Sequence, residues 1–394
     1  MRFNNVLADM HIHLGYAGNE PVKITASRRL TLESVLFSAA PIKGLDMVGI
    51  VDCGCLAVTQ EIKDLLFQGR LSELAEGGFI ADNDVLLIPG SEIESREGVH
   101  IIIYFSSLKS IEAFQKQIKN RLRNLMLSTQ KTSLGVSDLV LLSEDLGGII
   151  CPAHVFTPHK GIYGQWTDRL YDKLGEVLEY IKVLELGLSA DTDMADLIKE
   201  TSRFSFLSNS DAHSLENVAR EYNLLAMARK NFQEFKMCIE RKEGRCIKAN
   251  YGLDPLLGKY YRSYCSVCGT ILNDTPPVFK CGRCGCDKLV TGVYDRIMAI
   301  SDYKKPVHPE GRPPYHYRVQ LRQIPGIGPK TLNKLLNRFE NEINILEKID
   351  PGQIAEVAGN KIADMIDHMR SGRLAVKPGG GGYYGKVQKY NCNY

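Results

Sequence analysis

The chain has 394 residues, 44% of them apolar, which is more than one compact domain needs and suits two or three. No apolar run approaches the roughly 18 residues of a membrane-spanning helix, so no membrane partner is expected. The net charge of +3 hides a division: residues 1–255 carry 28 Lys and Arg against 34 Asp and Glu, while residues 256–394 carry 21 against 12.

An acidic first part suits a site that gathers cations, and a basic second part suits a polyanion. Met1 to Val6 runs directly into the first predicted strand and leaves no room for a secretion signal, which reads as a cytoplasmic protein. Strand candidates lie near residues 6–12, 47–52, 85–89, 100–105, 148–152, 183–187 and 204–208. Helical patterns near 31–40, 58–76, 110–127, 168–181 and 215–241 separate most of them. This alternation predicts an α/β fold with a mainly parallel sheet or barrel over residues 1–255.

His11 and His13 are two apart, so on a strand both imidazoles project from one face. Asp211 and His213 repeat that spacing after the apolar stretch 204–207. Asp52, Glu92, His154 and Glu185 lie at or near the ends of the strands between, which gathers them at one mouth of a barrel. Singly, such a carboxylate caps a helix and such a histidine bonds to backbone. Jointly, and with His100, they supply imidazoles and carboxylates without thiolates, a mixture suited to a hydrolytic site of several Zn, Mn or Mg ions.

These residues resemble a known superfamily. Asp9 to His13, Gly90-Ser91-Glu92 with His100 downstream, Pro152-Ala153-His154 and Ser210-Asp211-Ala212-His213 are similar to motifs of the polymerase and histidinol phosphatase (PHP) superfamily, over about residues 5–250. The resemblance implies a distorted seven-stranded α/β barrel holding a trinuclear metal centre. Where many relatives have an Asp-His pair, this chain has Asp52-Cys53-Gly54-Cys55. Cys53 is then either a thiolate ligand or a buried inert thiol. His100 also begins its apolar stretch instead of ending it, against the strand-end pattern.

Beyond Leu253-Asp254-Pro255 the pattern changes. Of eleven cysteines, Cys265, Cys268, Cys281 and Cys284 form two C-x-x-C knuckles that can surround one structural Zn, with Cys286 an alternative ligand. A segment this short draws its folding energy from the metal. Pro306 to Pro314 reads as an extended linker, and 318–373 as helical with two hairpin turns. The first turn, Ile324-Pro325-Gly326-Ile327-Gly328-Pro329-Lys330, looks like a helix-hairpin-helix element in which Gly326, Gly328 and Lys330 hold a DNA phosphate at a helix N-terminus. Val357 to Lys361 is a degenerate second copy.

That order of parts, with Arg312-Pro313-Pro314-Tyr315 and the ending Gly379 to Gly385, resembles the endonuclease Q family across nearly the whole length. The resemblance implies a DNA repair enzyme that cuts 5′ of uracil, hypoxanthine, xanthine or an abasic site in single- or double-stranded DNA. The expected division is a catalytic barrel over 1–255, a zinc module over 256–300 and a helix-hairpin-helix region with a Gly-rich tail over 301–394. The chemistry is phosphodiester hydrolysis by metal-activated water, with Glu92, Asp211 and His154 catalytic, Glu92 bridging ions, and Asp9 orienting a ligand. Tyr163 and Trp166 are candidates to stack on an extruded base. Two rival readings stand beside this one: a small-molecule phosphatase of the same superfamily, and a DNA-binding protein whose metal site has decayed.

Overall fold

The computed structural model describes residues 3–388. The start of the predicted leader-free N-terminus (1–2) and the end of the predicted third unit (389–394) lie outside the described residues. Seven strands form the ring: β1 (Asn4–Ile12), β2 (Met47–Ile50), β3 (Leu86–Glu94), β4 (His100–Tyr104), β5 (Ile149–Pro152), β6 (Val183–Glu185) and β7 (Ser205–Leu207). β1, β2 and β3 are parallel, with Ala8 opposite Met47 and Met47 opposite Leu86. β6 and β7 are parallel too. The Val155 amide donates to the Glu185 carbonyl at 2.9 Å and so links the end of β5 to β6. The chain beyond β7 returns to β1, where the His13 amide donates to the Ala212 carbonyl at 3.0 Å and closes a distorted α/β barrel.

The ring is less parallel than the alternation predicts, because β4 runs antiparallel to both β3 and β5. Only residues 95–99 join β3 to β4, with Gly98 in the left-handed region at φ 85°. A parallel crossover needs a dozen or more residues, so this connection can only be a hairpin. The reversal also explains why His100 begins its strand: an antiparallel strand starts at the mouth where the parallel ones end.

A second difference lies in the predicted helix 215–241. It contains β8 (Tyr222–Met227), antiparallel to β1, and only then a helix at Phe232–Glu240; β9 (Cys246–Gly252) follows, antiparallel to β8. β8 is buried along nearly all its length, so no alternation marks it as a strand. Helix Val136–Asp145 was likewise outside the predicted elements.

Met10, Ile88, Ile102, Cys151, Leu207 and Phe235 pack together inside the ring, while Ile50, Leu87, Ile103 and Phe206 pack outward under the helices. Helix Val293–Ile300, which follows the cysteine segment, inserts Val293, Ile297 and Ile300 into the outer layer. β10 (Tyr315–Tyr317) adds to the barrel sheet beside β9.

The segment 306–314 is therefore no free linker. Arg312 is buried against Asp196, with Nε and Nη2 donating to its two oxygens at 2.9 and 2.8 Å and Nη1 donating to the Phe204 carbonyl at 2.6 Å. Helices Pro329–Phe339, Glu342–Glu347, Pro351–Ala358 and Asn360–Arg370 then build a separate core from Leu321, Leu335, Ile345, Ile354 and Ile366. A buried Lys43–Glu342 pair at 2.8 Å and the Tyr222 hydroxyl on Glu347 at 3.2 Å fasten it to the barrel.

Candidate metal centre and the cavity beside it

All seven histidine and acidic ligand candidates meet at the mouth of the ring. Their atoms fall into three overlapping groups: His11, His13 and Glu92; Glu92, His100 and His154; His13, Asp211 and His213. Glu92 Oε1 lies 3.0 Å from His100 Nδ1 and 3.6 Å from both His11 Nε2 and His154 Nε2. Its Oε2 lies 3.3 Å from His13 Nε2. Asp211 Oδ1 is 3.6, 3.7 and 3.5 Å from His11 Nε2, His13 Nε2 and His213 Nδ1. The β1 register against β2 shifts between Asp9 and Ile12, which turns His11 and His13 inward although Met10 also faces the interior. His154 and Asp211 hold left-handed backbone at φ 32° and 45°, conformations that cost about 1–3 kcal/mol each and persist where the surroundings impose them.

The outer hydrogen bonds show what the centre is built for. His11 Nδ1 sits 2.8 Å from Glu185 Oε2, and His13 Nδ1 2.9 Å from Asp52 Oδ1. With each Nδ1–H donating to its carboxylate, each Nε2 turns a lone pair toward the other at 3.2 Å. Two facing lone pairs call for a cation between them. His100 Nδ1 is likewise buried and makes no hydrogen bond, despite its closeness to Glu92. Burial alone would lower the His11 imidazolium, but Glu185, Asp211 and Glu92 more than offset it and raise it to about 10, so that without a metal ion a proton takes the place on Nε2 that the ion would fill. The imidazoles and carboxylates thus fit divalent metal ions.

Asp9 stays outside the cluster. It is buried and accepts from the Ser210 and Ala219 amides at 3.0 and 2.9 Å, and burial pushes its carboxyl up to about 6 against those bonds. Its part is to hold the β1–β7 seam. Cys53 is a buried thiol facing the Ile50 carbonyl, raised well above the usual thiol range by burial, and it joins none of the ligand groups.

Two residues that no motif marked also stand at the centre. Lys23 Nζ lies 3.3 Å from Glu92 Oε2 and hydrogen-bonds Thr129, whose hydroxyl donates to the same oxygen at 2.8 Å. Both come from loops, where periodicity carries no signal. Beside the cluster opens a cavity of ≈ 450 Å³ lined by His154, Asp211 and His213 and, across from them, by Lys259, Tyr260 and Tyr384. Tyr384 arrives on the Gly-rich tail, which folds back through Gly379 and Gly385 amides onto the Leu256 and Leu257 carbonyls. A Cβ at Gly385 would stand 2.4 Å from the Lys377 carbonyl oxygen, so only glycine allows that approach. Arg220 secures the ring, with Nη1 donating to the Tyr384 hydroxyl at 3.1 Å.

The predicted stacking residues are elsewhere. Tyr163 is fully buried, stacked on Phe156 with its hydroxyl donating to Glu200 at 2.6 Å, so neither ring face is open. Trp166 is half-buried against the outer core. Their loop instead anchors Arg296, which donates to the Tyr163 carbonyl at 2.8 Å.

Cys265, Cys268, Cys281 and Cys284 converge, with Sγ atoms 3.6 Å apart in the pairs Cys265–Cys284 and Cys268–Cys281. Four sulfurs around one Zn at 2.3 Å would stand about 3.8 Å apart. Cys286 is outside the group and accepts from the Lys288 amide. Hydrogen bonds from Thr270, side chain and backbone, bring the Cys268 thiol down to about 6, which favours a thiolate. In the first hairpin turn only Gly326 is left-handed, at φ 99°. Gly328 is the extended N-cap of helix Pro329–Phe339, and no side chain caps the amides behind it. Lys330 is exposed beside them.

No family model matches the chain. The uncharacterized protein YqxK of Bacillus subtilis is 38% identical over 394 residues, 97% of this chain and 99% of its own length. The lesion-specific endonuclease PfuEndoQ of Pyrococcus furiosus is 31% identical, and its structure superposes with a TM-score of 0.85 over 98% of this chain and 96% of that one. The chain belongs to the endonuclease Q family. A second solved structure of the family, endonuclease Q with a 27-mer duplex carrying an abasic lesion at the active site, is 32% identical at the same TM-score and covers 98% of this chain and 97% of that one.

Proposed function

We propose that the protein is a DNA repair endonuclease that hydrolyses the phosphodiester bond 5′ of a deaminated base (uracil, hypoxanthine or xanthine) or an abasic site. The observation that carries the reading is the histidine–carboxylate cluster opening directly into a ≈ 450 Å³ cavity, in a chain of this family. That volume lies within the roughly 300–1,000 Å³ of sites that enclose small molecules, room enough for one extruded nucleotide. His11, His13, Glu92, His100, His154, Asp211 and His213 would hold several Zn, Mn or Mg ions, with Glu92 common to two of the ligand groups. When bound, such ions supply charge neutralisation at the phosphate and a water of lowered pKa. Glu185 and Asp52 keep His11 and His13 in the ligand tautomer, and Lys23 adds a fixed positive charge beside Glu92. Tyr260 and Tyr384 offer rings to the extruded base. Glu92, Asp211 and His154 face the reacting phosphate as the catalytic set.

The test is incubation of purified protein and Mg²⁺ or Mn²⁺ with end-labelled duplexes carrying one uracil, hypoxanthine or abasic site. The expected product is a nick directly 5′ of the lesion with a 3′-hydroxyl. Release of free phosphate from small phosphomonoesters, with DNA untouched, would make the protein a small-molecule phosphatase instead.

In this reading the four cysteines hold a structural Zn and residues 256–300 act as a module. Replacing Cys265 and Cys281 by Ser is expected to lower bound Zn by one equivalent in elemental analysis and to lower the melting temperature of the C-terminal part. Unchanged Zn content would remove the assignment. The hairpin 324–330 grips backbone phosphate without reading sequence. Lys330→Ala should weaken binding equally for damaged and undamaged DNA and reduce the slope of log K against log salt by about one. Gly326→Val should cost more, since it forces a β-branched residue into left-handed backbone. A selective loss on damaged DNA for Lys330→Ala would show instead that the hairpin reads the lesion.

A further inference from the structure

The far side of the cluster opens into a second, larger cleft of ≈ 1250 Å³ that nothing above uses. It lies between residues 22–25 and the segment 120–133, and it meets the base cavity at Thr25 and His100, which line both. Lys23, Arg96, Arg121, Arg123 and Lys131 line it, and no Asp or Glu does. This is a basic channel inside the acidic part of the chain. Arg121 and Arg123 are exposed and have no hydrogen-bond or ion-pair partner among the described residues, whereas Arg96 reaches Glu97 at 3.4 Å and Lys131 stands 3.9 Å from Glu94. Ile24, 81% exposed, gives the cleft an apolar edge. No Phe, Tyr or Trp lines it, so it offers no platform for stacked bases, and its lack of carboxylates rules against a cation.

The wall is fixed in place before any ligand arrives. Ser128 hydrogen-bonds Asp52, Thr129 donates to Glu92, and the Thr132 amide donates to the Glu94 carbonyl at 2.8 Å. The same residues that orient the centre therefore hold one wall of the channel, while the exposed Arg121 and Arg123 side chains are free to order on a ligand.

We propose that this cleft carries the phosphate backbone of the scissile strand on the 5′ side of the cut. The assignment rests on the reading of a nick 5′ of the lesion. With the lesion nucleotide in the cavity beside His154 and His213, its 5′ phosphate lies over the cluster. The strand upstream then leaves on the opposite side, past His100 and Lys23, into the row of arginines. Backbone contacts of this kind position the strand and carry no sequence information.

The test compares wild type with the double variant Arg121→Ala/Arg123→Ala on lesion duplexes with a long 5′ arm, a 5′ arm cut back to the nucleotide beside the lesion, or a shortened 3′ arm. On the long-arm substrate the variant should lose at least ~10-fold in kcat/KM, about what one or two lost phosphate contacts cost. The gap should close when the 5′ arm is cut back, because wild type has then lost the same contacts, and should survive shortening of the 3′ arm. An equal loss on all three substrates, or a gap that follows the 3′ arm, would overturn the proposal. Binding to undamaged duplex without divalent metal separates this inference from the function it rests on. If wild type nicks no lesion, the endonuclease reading fails. A salt slope smaller by about two in the variant still upholds the cleft as a phosphate channel, and identical slopes refute it.

Discussion

His11→Ala is expected to lower nicking of a uracil- or abasic-site duplex by at least ~10²–10³-fold, about 3–4 kcal/mol of transition-state stabilisation, with DNA affinity nearly unchanged. His11 belongs to one ligand group and, through Glu92, His13 and Asp211, touches members of the other two, so its loss disturbs all three. It also leaves the buried Glu185 without its imidazole, holding only the longer bond from Asn209 at 3.5 Å. Asp211→Ala should act similarly, since Asp211 joins the cluster to the cavity wall. Glu185→Gln gives the graded comparison. It keeps the shape but weakens the hold on His11 Nδ1, and a roughly 10–100-fold loss in activity or metal affinity is expected. Affinity should survive in all three, because the hairpin and the basic cleft lie away from these side chains. A His11→Ala protein that melts normally, binds DNA and still nicks within a few-fold of wild type would show that the centre is placed wrongly.

Arg312→Ala is expected to produce the largest loss of stability, about 3–5 kcal/mol, read as a lower denaturant midpoint. The guanidinium is buried with both forks on Asp196, a further bond to the Thr201 carbonyl at 3.1 Å, and its plane 3.7 Å from the Phe206 ring centre. Truncation leaves Asp196 buried, with His308 at 2.7 Å as its remaining side-chain hydrogen-bond partner among the described residues. The double variant Arg312→Ala/Asp196→Ala should recover part of the loss, because the stranded carboxylate accounts for much of the cost. A single-variant effect below about 1 kcal/mol would mean that the segment is held by its neighbours and not by this pair.

The distance between what sequence can carry and what it cannot is clearest in pairs of residues. His11 with His13, and Asp211 with His213, were legible because a period of two and a strand end translate directly into a shared face. His100 was legible as a ligand but not as a placement, since its position at the start of a strand makes sense only once the turn at residues 95–99 reverses β4. Lys23 and Thr129 left no trace, as they reach Glu92 from loops 69 and 37 residues away in sequence. Tyr163 and Trp166 are aromatic and close to His154 in the chain, but adjacency in the chain says nothing of burial, and Tyr163 lies in the core. Tyr384 shows the converse. The glycine tract could be read as flexible, yet its lack of side chains is what lets the tail return to the barrel and present that ring. Arg312 and Asp196, 116 residues apart, form a contact that no local pattern announces.

The reversal of β4 also divides the centre by the order in which its parts can come together. Glu92 and His100 face each other across the hairpin of β3 and β4, so their contact closes a short loop and can form early, while His154, just past the end of β5, joins them over the longer connection 105–148. His11, His13, Asp211 and His213 meet only across the seam where β1 receives the chain beyond β7, some two hundred residues downstream. Three of the seven ligand candidates therefore lie along one stretch of chain, and four wait for the ring to shut. A nascent chain would carry the first three donors as a weak site and acquire the full set in a single late step, so that strong metal retention becomes a sign that the barrel has closed.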